Sequence, residues 1–359
     1  MNVLYIGNYK DTPNGWSNAS QYWIKSLNKA TKNLAIRYYK YSMKENNIDI
    51  SHLRDLEKKR FDAIDIIIQN ILPTNMQKYN GAYNIGICYF ESNGVLSHDA
   101  NNWRANLQQM DEVWVSTQRE YEECIKNNIR AFIIPQSIDL WTYKKHEGKN
   151  ILGPSKNYRF YNIGGDGVRK NLQELVLGYC IAFSEDDDVE LILKCGNRDY
   201  VNNVISTSLK LVPDRQPRIQ LIFDDLSDDQ ILSIHKECNC FVSTSSEESI
   251  SRPLMDACAL GRPAIVTAGT SMQDIRGVEI FPSFNEFCLV NNPPVRGIYT
   301  YREDWLKPTV KGIAETMRRI FDIKKTVALY DMLPYDCNTV ARLISERIDA
   351  IKEHNTIKS

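Results

Sequence analysis

Residues 241–266, FVSTSSEESISRPLMDACALGRPAIV, show most clearly how this chain folds. The apolar start predicts a strand that ends near Ser243, and a polar loop with two adjacent carboxylates follows it. Ser251 is a suitable N-cap for a helix that has Pro253 in its first turn. We expect this helix to stop at Gly261, just before the next strand. A strand, a loop, a helix and another strand form the repeating unit of a parallel α/β sheet.

The loop and the helix start in this stretch also carry candidate binding groups. The free amides at a helix start, together with the helix dipole, form an anion site that suits a diphosphate. Glu247 and Glu248 would repel phosphates at close range, so they are better suited to bind the hydroxyl groups of a sugar or a ribose. From spacing alone, the alternative is a plain crossover whose acids are solvated.

The same alternation of short apolar runs and helical patterns extends over the whole chain. In the first half, strands are predicted at 2–7, 34–38, 63–69, 83–89, 112–116 and 131–134. In the second half, they are predicted at 159–163, 190–194, 219–223, 240–243 and 263–266. The polar stretch 143–157 breaks the pattern and is predicted to be a linker. We therefore expect two Rossmann-like, doubly wound domains facing a cleft, at 1–142 and 158–323. A helical tail, 324–359, is expected to pack back on the first domain.

Length and charge agree with this organisation. The chain has 359 residues, which corresponds to roughly two domains. Lys and Arg number 44 against 45 Asp and Glu, which argues against a general basic surface for nucleic acid. The nine cysteines are scattered and form no CxxC pair, so we expect them to be buried thiols. With no predicted signal peptide or membrane span, the expected location is the cytoplasm, and peripheral membrane association stays open.

A second loop of interest follows the strand predicted at 159–163. Gly164 and Gly165 begin a glycine-rich loop, and Arg169 and Lys170 stand at the start of the next helix. Glycines let the backbone approach a ligand, and the two cations can neutralise phosphate charge. The alternative is a solvated helix cap. The loop fits neither the P-loop pattern nor G-x-G-x-x-G, so a nicotinamide dehydrogenase is not favoured.

The spacing of Glu248 and Asp256 resembles the E-x7-E motif of family 4 retaining glycosyltransferases of the GT-B fold, in a bacterial and phage-type branch. In that family the first acid contacts the donor sugar and the second holds the ribose hydroxyls. The resemblance assigns these roles to Glu248 and Asp256. This chain departs from the family pattern because the second acid is Asp, and because Ser249 and Ser251 replace two glycines.

Other segments resemble the same family and complete the implied site. Arg169-Lys170-Asn171 is similar to a signature that binds the donor diphosphate, and the segment around Asp225 is similar to one that contacts the nucleobase. Gly15 matches a glycine loop whose usual second glycine is here Trp16. The implied catalytic residues are Glu248, Arg169 and Lys170. The implied donor-binding residues are Gly15, Gly164, Gly165, Lys194, Asp225, Leu226, Ser249, Ile250, Ser251 and Asp256. Glu91 and His98 are implied on the acceptor side.

No metal site or cofactor is expected. Asp186–Asp188 looks like the D-x-D metal motif of the other glycosyltransferase fold, but it falls in a loop on the side away from the expected cleft. We interpret it as a solvated turn, with Arg169, Lys170 and the helix start supplying the electrostatic stabilisation that a metal ion would give. His235 lies in the middle of a predicted helix and is interpreted as a packing residue.

The resemblance thus implies a metal-independent retaining glycosyltransferase of EC 2.4 type. Its donor would be a nucleotide-diphosphate sugar, with a UDP-sugar slightly favoured. The acceptor stays open among a glycan, a lipid-linked sugar, a protein, a small metabolite and a modified DNA base, and the oligomeric state is also open. The alternatives are a sugar-nucleotide epimerase of the same architecture and a catalytically inactive binding protein.

Overall fold

The computed structural model of the protein describes residues 1–10, 15–40, 50–98, 102–165, 167–287 and 302–358. Parts of two predicted loops, at 11–14 and at 166, lie outside these residues, as does Cys288. The other eight cysteines are buried and free, as expected of small apolar side chains in a core.

The first domain contains a sheet of six parallel strands in the order β2-β1-β3-β4-β5-β6. The strands are β1 (Val3–Gly7), β2 (Leu34–Tyr38), β3 (Ile66–Asn70), β4 (Tyr83–Ile87), β5 (Glu112–Val115) and β6 (Ala131–Ile133). The helices are α1 (Gly15–Ala30), α2 (Arg54–Lys58), α3 (Trp103–Gln108) and α4 (Gln118–Lys126). The short helix α5 (Leu140–Lys145) follows β6 in the chain and packs on the second domain. Every residue of β3 is buried, as is typical of a parallel sheet covered on both faces.

The second domain contains another sheet of six parallel strands, in the order β12-β11-β10-β7-β8-β9. The strands are β7 (Tyr158–Ile163), β8 (Val189–Lys194), β9 (Arg218–Ile222), β10 (Cys240–Ser243), β11 (Ala264–Thr267) and β12 (Glu279–Phe281). The helices are α6 (Leu172–Ala182), α7 (Arg198–Leu211), α8 (Asp228–Glu237), α9 (Arg252–Ala259) and α10 (Val310–Asp322). A two-stranded antiparallel sheet joins β13 (Ser283–Phe287) to β14 (Asp304–Pro308).

The C-terminal helix α11 (Cys337–Lys358) belongs to the core of the first domain. Val340, Ile344 and Ile348 lie in the same apolar cluster as the buried side chains of β1 and β3. Each such side chain contributes about 1.5–3 kcal/mol when it is fully buried. The tail is therefore held to the first domain by apolar packing. No helix in the described part of the chain is long and apolar enough to cross a membrane.

The chain passes between the domains twice, and the two passages lie side by side. The amide of Ile138 donates to the carbonyl of Tyr335, and the amide of Cys337 donates to the carbonyl of Ile138, both at 2.8 Å. The segment predicted as a linker, 143–157, begins inside α5, and Tyr143 is buried in the core of the second domain. Further along, the amide of Lys149 donates to Ser233 on α8, so the segment is packed against that domain.

Strand order reverses once in each sheet, and both reversals bear on function. In the first sheet the chain winds in opposite directions from β1 and β3, and in the second sheet from β7 and β10. Ligands of open parallel sheets bind at the carboxyl ends of the strands that flank such a reversal. The loops after these strands are therefore the place to look for a site.

Candidate active site

A cavity of about 530 Å³ lies between the two domains, at the strand ends where both sheets reverse. The first domain lines it with the start of α1, the segment 71–73 after β3, the segment 87–95 around the end of β4, and Trp103. The second domain lines it with 162–165 after β7, the turn that holds Arg169 and Lys170, and segments of 243–253 after β10. We call these surfaces the first-domain wall and the second-domain wall.

Three predicted glycines line the cavity where a side chain would meet little or no protein. Apart from its chain neighbours, a Cβ built on Gly15 or Gly165 meets no described atom within 4 Å, and one on Gly164 meets only Asn162 Oδ1 at 3.5 Å. Packing within the described residues therefore does not require glycine at these positions. A ligand that approaches the backbone closely would require it.

The turn Val168–Lys170 is fixed to the loop after β10 by Asn171. This residue adopts a left-handed conformation with φ of 48°, which Asn tolerates better than most residues. Its side-chain amide donates to the carbonyl of Thr244 at 2.9 Å and to Ser246 Oγ at 2.7 Å. These bonds hold Arg169 and Lys170 beside the loop that carries Glu248.

Arg169, Lys170 and Glu248 form a compact ionic cluster. Arg169 Nη1 lies 3.0 Å from Glu248 Oε1, and Lys170 Nζ pairs with the same oxygen. Burial by itself would raise the pKa of Glu248, but the charges of Arg169 and Lys170 outweigh it and lower this pKa to about 2. Glu248 is therefore ionised at neutral pH. It fits a role that positions the two cations better than a role in proton transfer.

Glu91 of the first-domain wall completes the cluster. Arg169 Nη2 donates to Glu91 Oε1 at 2.7 Å, and the carbonyl of Glu91 accepts a hydrogen bond from the indole of Trp305 at 2.8 Å. The four side chains together carry two positive and two negative charges. A bound diphosphate would compete with these carboxylates for Arg169 and Lys170.

Ser249, Ile250 and Ser251 line the cavity beside Glu248 and lead into α9. Ser251 is the N-cap residue, as the sequence predicts, but its side chain makes no capping hydrogen bond. The first amides of α9 are therefore not satisfied by the cap side chain, and the positive end of the helix dipole lies at the cavity.

Asp256 lies behind the cavity wall, bound to other side chains. Arg252, one turn earlier on α9, donates to it at 2.7 Å, and the hydroxyl of Tyr143 also donates to it. Arg252 in turn bonds to the hydroxyl of Tyr22 on α1 at 2.9 Å and lies 4.3 Å from the centre of the Tyr22 ring. In the structure this group ties the two domains together, and the predicted contact of Asp256 with a ribose stays a prediction.

Four other predicted residues are not among the described residues that line the cavity. Lys194 is the last residue of β8, and Asp225 and Leu226 follow β9. These are the two strands farthest from the reversal on that side of the sheet. The backbone carbonyl of Lys194 accepts a hydrogen bond from the amide of Gly164 at 3.2 Å, which connects this residue to the glycine loop. His98 is exposed and borders a separate polar cavity near Arg119.

The two adjacent acids of the loop after β10 point to different surroundings. Glu247 accepts from the amide of Ser271 at 3.0 Å and pairs with Arg119 of α4 at 3.1 Å. Burial raises the pKa of Glu247, while Arg119 lowers it in part. Glu247 therefore contributes to the contact between the domains, and Glu248 contributes to the cavity.

Asp187, from the stretch interpreted as a solvated turn, is partly buried and bonded, and His235 packs in the core as interpreted. Asp187 accepts hydrogen bonds from the amide of Ser184 at 2.9 Å and from Arg318 at 2.7 Å. His235 is buried, and its Nδ1 lies 2.8 Å from the hydroxyl of Tyr161. Burial lowers the pKa of His235 to about 4, so its ring is neutral.

Sequence reasoning missed the residues that shape the first-domain wall. Asn70 at the end of β3 is fully buried, donates to the hydroxyl of Tyr5 at 2.9 Å, and accepts from the indole of Trp16 at 3.2 Å. Trp103 lines the cavity from α3. The rule that ligands bind at the carboxyl ends of strands could have found Asn70, because this residue directly follows the strand predicted at 63–69.

Comparison with known proteins supports the fold over almost the entire chain. No protein-family model matches the sequence, and no curated protein sequence matches it. The structure of Alr3699/HepE from Anabaena in complex with UDP and glucose has a TM-score of 0.68 and 13% identity, covering 98% of this chain and 100% of that chain. Sucrose-phosphate synthase (tll1590) from Thermosynechococcus elongatus has a TM-score of 0.60 and 12% identity, covering 100% of both chains. The apo structure of OtsA has a TM-score of 0.66 and 9% identity, covering 96% of this chain and 98% of that chain.

At these identities the likeness concerns the fold, and it confirms the predicted fold class. Two parallel six-stranded sheets with covering helices face each other across a cleft, and a C-terminal helix follows them. The chain has the GT-B fold.

Proposed function

We propose that this protein is a retaining glycosyltransferase that moves a sugar from a nucleoside-diphosphate sugar, with a UDP-sugar slightly favoured, to an acceptor hydroxyl. The observation that carries the proposal is the convergence of Arg169, Lys170, the open glycine loop and the start of α9 on one cavity. These groups suit a diphosphate, and the cavity lies where both sheets reverse. A protein of the same fold, Alr3699/HepE, has been solved with UDP and glucose, which supports a UDP-sugar as the donor.

The chemistry assigned to these residues is stabilisation of the leaving group. The bond between the anomeric carbon and the phosphate oxygen breaks, and the acceptor oxygen forms a bond to that carbon on the same face. The acceptor proton passes to the departing phosphate oxygen. Arg169 and Lys170 stabilise the negative charge that grows on the diphosphate, which is the largest contribution asked of the protein.

Glu248 takes the role of a positioning carboxylate in this proposal. Because its pKa is held near 2 by two cations, it would be a weak base and is already bound to Arg169 and Lys170. It keeps both cations directed into the cavity before the donor binds. The cations supply charge that a metal ion supplies in other transferases, so we propose that turnover needs no divalent metal.

The experiment uses purified full-length protein and a panel of nucleotide sugars. Calorimetry measures binding of each nucleotide sugar, and released nucleotide is measured with and without an acceptor panel, in the presence and absence of EDTA. We expect binding of at least one donor, release that depends on acceptor, and no loss in EDTA. Turnover of the donor into another sugar nucleotide without acceptor would identify an epimerase instead. Absence of binding for every nucleotide sugar would overturn the proposal.

Glu248→Gln separates an enzyme from an inactive binding protein. Gln is nearly isosteric but cannot balance the charges of Arg169 and Lys170, so we expect turnover to fall by about 10²-fold with the fold retained. The matched control is Glu315→Gln, since Glu315 is exposed on α10 and far from the cavity. If the unmodified protein binds a nucleotide sugar but shows no turnover, the catalytically inactive binding protein is favoured.

A further inference from the structure

The first-domain wall of the cavity is aromatic and apolar, and it differs from the wall that carries the cations. Trp16, Leu72 and Tyr89 are partly buried and line the cavity, and the more deeply buried Val95 and Trp103 line it as well. The rings of Trp16 and Tyr89 meet edge to face, with centroids 6.5 Å apart. None of these side chains is suited to bind a diphosphate.

The polar atoms of the aromatic residues already have partners within the first domain. Trp16 Nε1 donates to Asn70 Oδ1 at 3.2 Å, and Trp103 Nε1 donates to Thr74 Oγ1 at 3.0 Å. The hydroxyl of Tyr89 accepts from the indole of Trp23 at 2.7 Å. Because these groups are used inside the protein, the rings present mainly carbon to the cavity.

The described residues of the first-domain wall also offer no positive charge. Among its described lining residues, Glu91 is the one charged side chain, and it already pairs with Arg169. The described cations of the cavity all belong to the other wall. Arg169 and Lys170 are assigned to the donor. Arg252 is held through Nε by Asp256 and through Nη2 by Tyr22, and its remaining Nη1 is buried in the protein, where an acceptor does not reach it. An acceptor phosphate or carboxylate would therefore lose its hydration without gaining a cation.

We propose that the acceptor is a small, uncharged molecule whose reacting hydroxyl lies next to an aromatic or other apolar group, and that this group packs on Trp16, Leu72 and Tyr89. This inference rests on the proposed glycosyl transfer and names the acceptor class for the same site. Size is consistent with it, because the part of the acceptor inside the cavity shares about 530 Å³ with the donor sugar. The acceptor oxygen gains the sugar, and its proton leaves with the diphosphate.

The first stage of the test examines the donor alone. Binding of UDP and of the active UDP-sugar is measured by calorimetry, and slow release of UDP into water is measured without acceptor. Failure at this stage counts against the proposed function. Success allows the acceptor question to be decided separately.

The second stage compares three acceptors that differ in one feature: a methyl hexoside, the matching phenyl hexoside, and that phenyl hexoside carrying a 6-phosphate. We expect kcat/KM for the phenyl compound to exceed that for the methyl compound by about tenfold or more, as apolar pockets discriminate. We expect the phosphate to reduce kcat/KM by at least about tenfold, because it would be unpaired. Equal use of phenyl and methyl compounds, or better use of the phosphorylated one, would overturn the inference and leave the proposed function intact.

Variants of Trp16 and Leu72 then test whether the preference for the phenyl hexoside depends on the first-domain wall. Trp16→Ala and Leu72→Asn should each abolish most of the phenyl preference, while Trp141→Ala, at an exposed tryptophan on α5, should preserve it. Because Trp16 adjoins the glycine loop, its variant is also measured for UDP affinity. Leu72→Asn is the decisive variant, because Leu72 is not one of the residues assigned to the donor diphosphate. A phenyl preference that survives Leu72→Asn would overturn the assignment.

Discussion

The two walls of the cavity have the same topology but different side chains: the second-domain wall is charged, and the first-domain wall is mainly aromatic and apolar. Each wall is formed by loops after parallel strands, at the point where strand order reverses. The second-domain wall carries Arg169, Lys170 and Glu248, whereas the first-domain wall carries Trp16 and Tyr89. The fold determines where a ligand can bind, and the residue types in the loops determine which ligand that is.

The walls also differ in how their side chains are held. In the second-domain wall, ion pairs hold the side chains, with Glu248 between two cations. In the first-domain wall, hydrogen bonds of the buried Asn70 to Trp16 and Tyr5 hold the side chains. A ligand with one anionic end and one apolar end would match both arrangements.

Removing a cation should have the largest effect, because it disrupts the charged wall directly. Lys170→Met keeps much of the side-chain length but removes the charge, so we expect kcat to fall by about 10²- to 10³-fold. Affinity for UDP should fall as well. Steady-state kinetics and calorimetry measure both, and Lys311→Met on the exposed face of α10 is the matched control. A variant with unchanged kcat would show that Lys170 does not stabilise the leaving group.

The next largest effect should be on stability, when the ion pair between Arg252 and Asp256 is broken. Arg252→Met leaves the buried carboxylate of Asp256 with Tyr143 but without its cation. Loss of one partner from a buried ion pair costs about 3–5 kcal/mol, so the free energy of unfolding should fall by about that amount. Denaturant unfolding measures it. A loss below about 1 kcal/mol would mean that the pair is solvated in solution.

The smallest expected effect concerns Glu120, which is hydrogen-bonded to the backbone of Phe90, next to Tyr89 of the first-domain wall. Glu120 accepts hydrogen bonds from the amides of Phe90, Ser116 and Thr117. Burial raises the pKa of Glu120 to about 7, although these amides and the nearby hydroxyl of Ser249 lower it in part.

The folded protein therefore binds more protons at Glu120 than the unfolded chain between about pH 4.5 and 7. This group should make the protein less stable as pH rises through that range. Thermal unfolding of the unmodified protein and of Glu120→Gln, measured at pH 5 and pH 8, tests the sign. Equal pH dependence in the two proteins would contradict the assignment. Glu248 adds nothing in this range, because its pKa is lowered and its effect on stability begins below about pH 4.5.

Much of the fold could be predicted from the sequence, because short apolar runs alternate with helices in both halves. The meeting of Arg169 and Lys170 with Glu248 could also be expected, since the loops after β7 and β10 adjoin in a doubly wound sheet. The apolar wall could not be predicted in this way. Its recognition requires that segments after β1, β3 and β4 be brought together, and nothing in their local patterns shows which rings face inward.

The surroundings of Asp256 show a second limit of sequence reasoning. The motif placed this acid correctly on α9, but Arg252 lies four residues earlier on the same helix face and binds it. Tyr143, its other partner, comes from a stretch whose sequence predicted a linker. Lys194, Asp225 and Leu226 lie at the ends of the outer strands β8 and β9 or just after them, and the predictions for them rested on resemblance alone.

The two connections between the domains lie side by side, because the backbone of Ile138 is hydrogen-bonded to both Tyr335 and Cys337. A domain rotation that widened the cavity would have to bend both connections together, close to the apolar core of the second domain, to which Ile138 belongs. Three further contacts join the two domains next to or near the cavity: Glu91 with Arg169, Tyr22 with Arg252, and Arg119 with Glu247. The first and the third are ion pairs. A domain rotation that admitted a ligand would have to break these ion pairs, so the rate of ligand entry by that route should rise with salt.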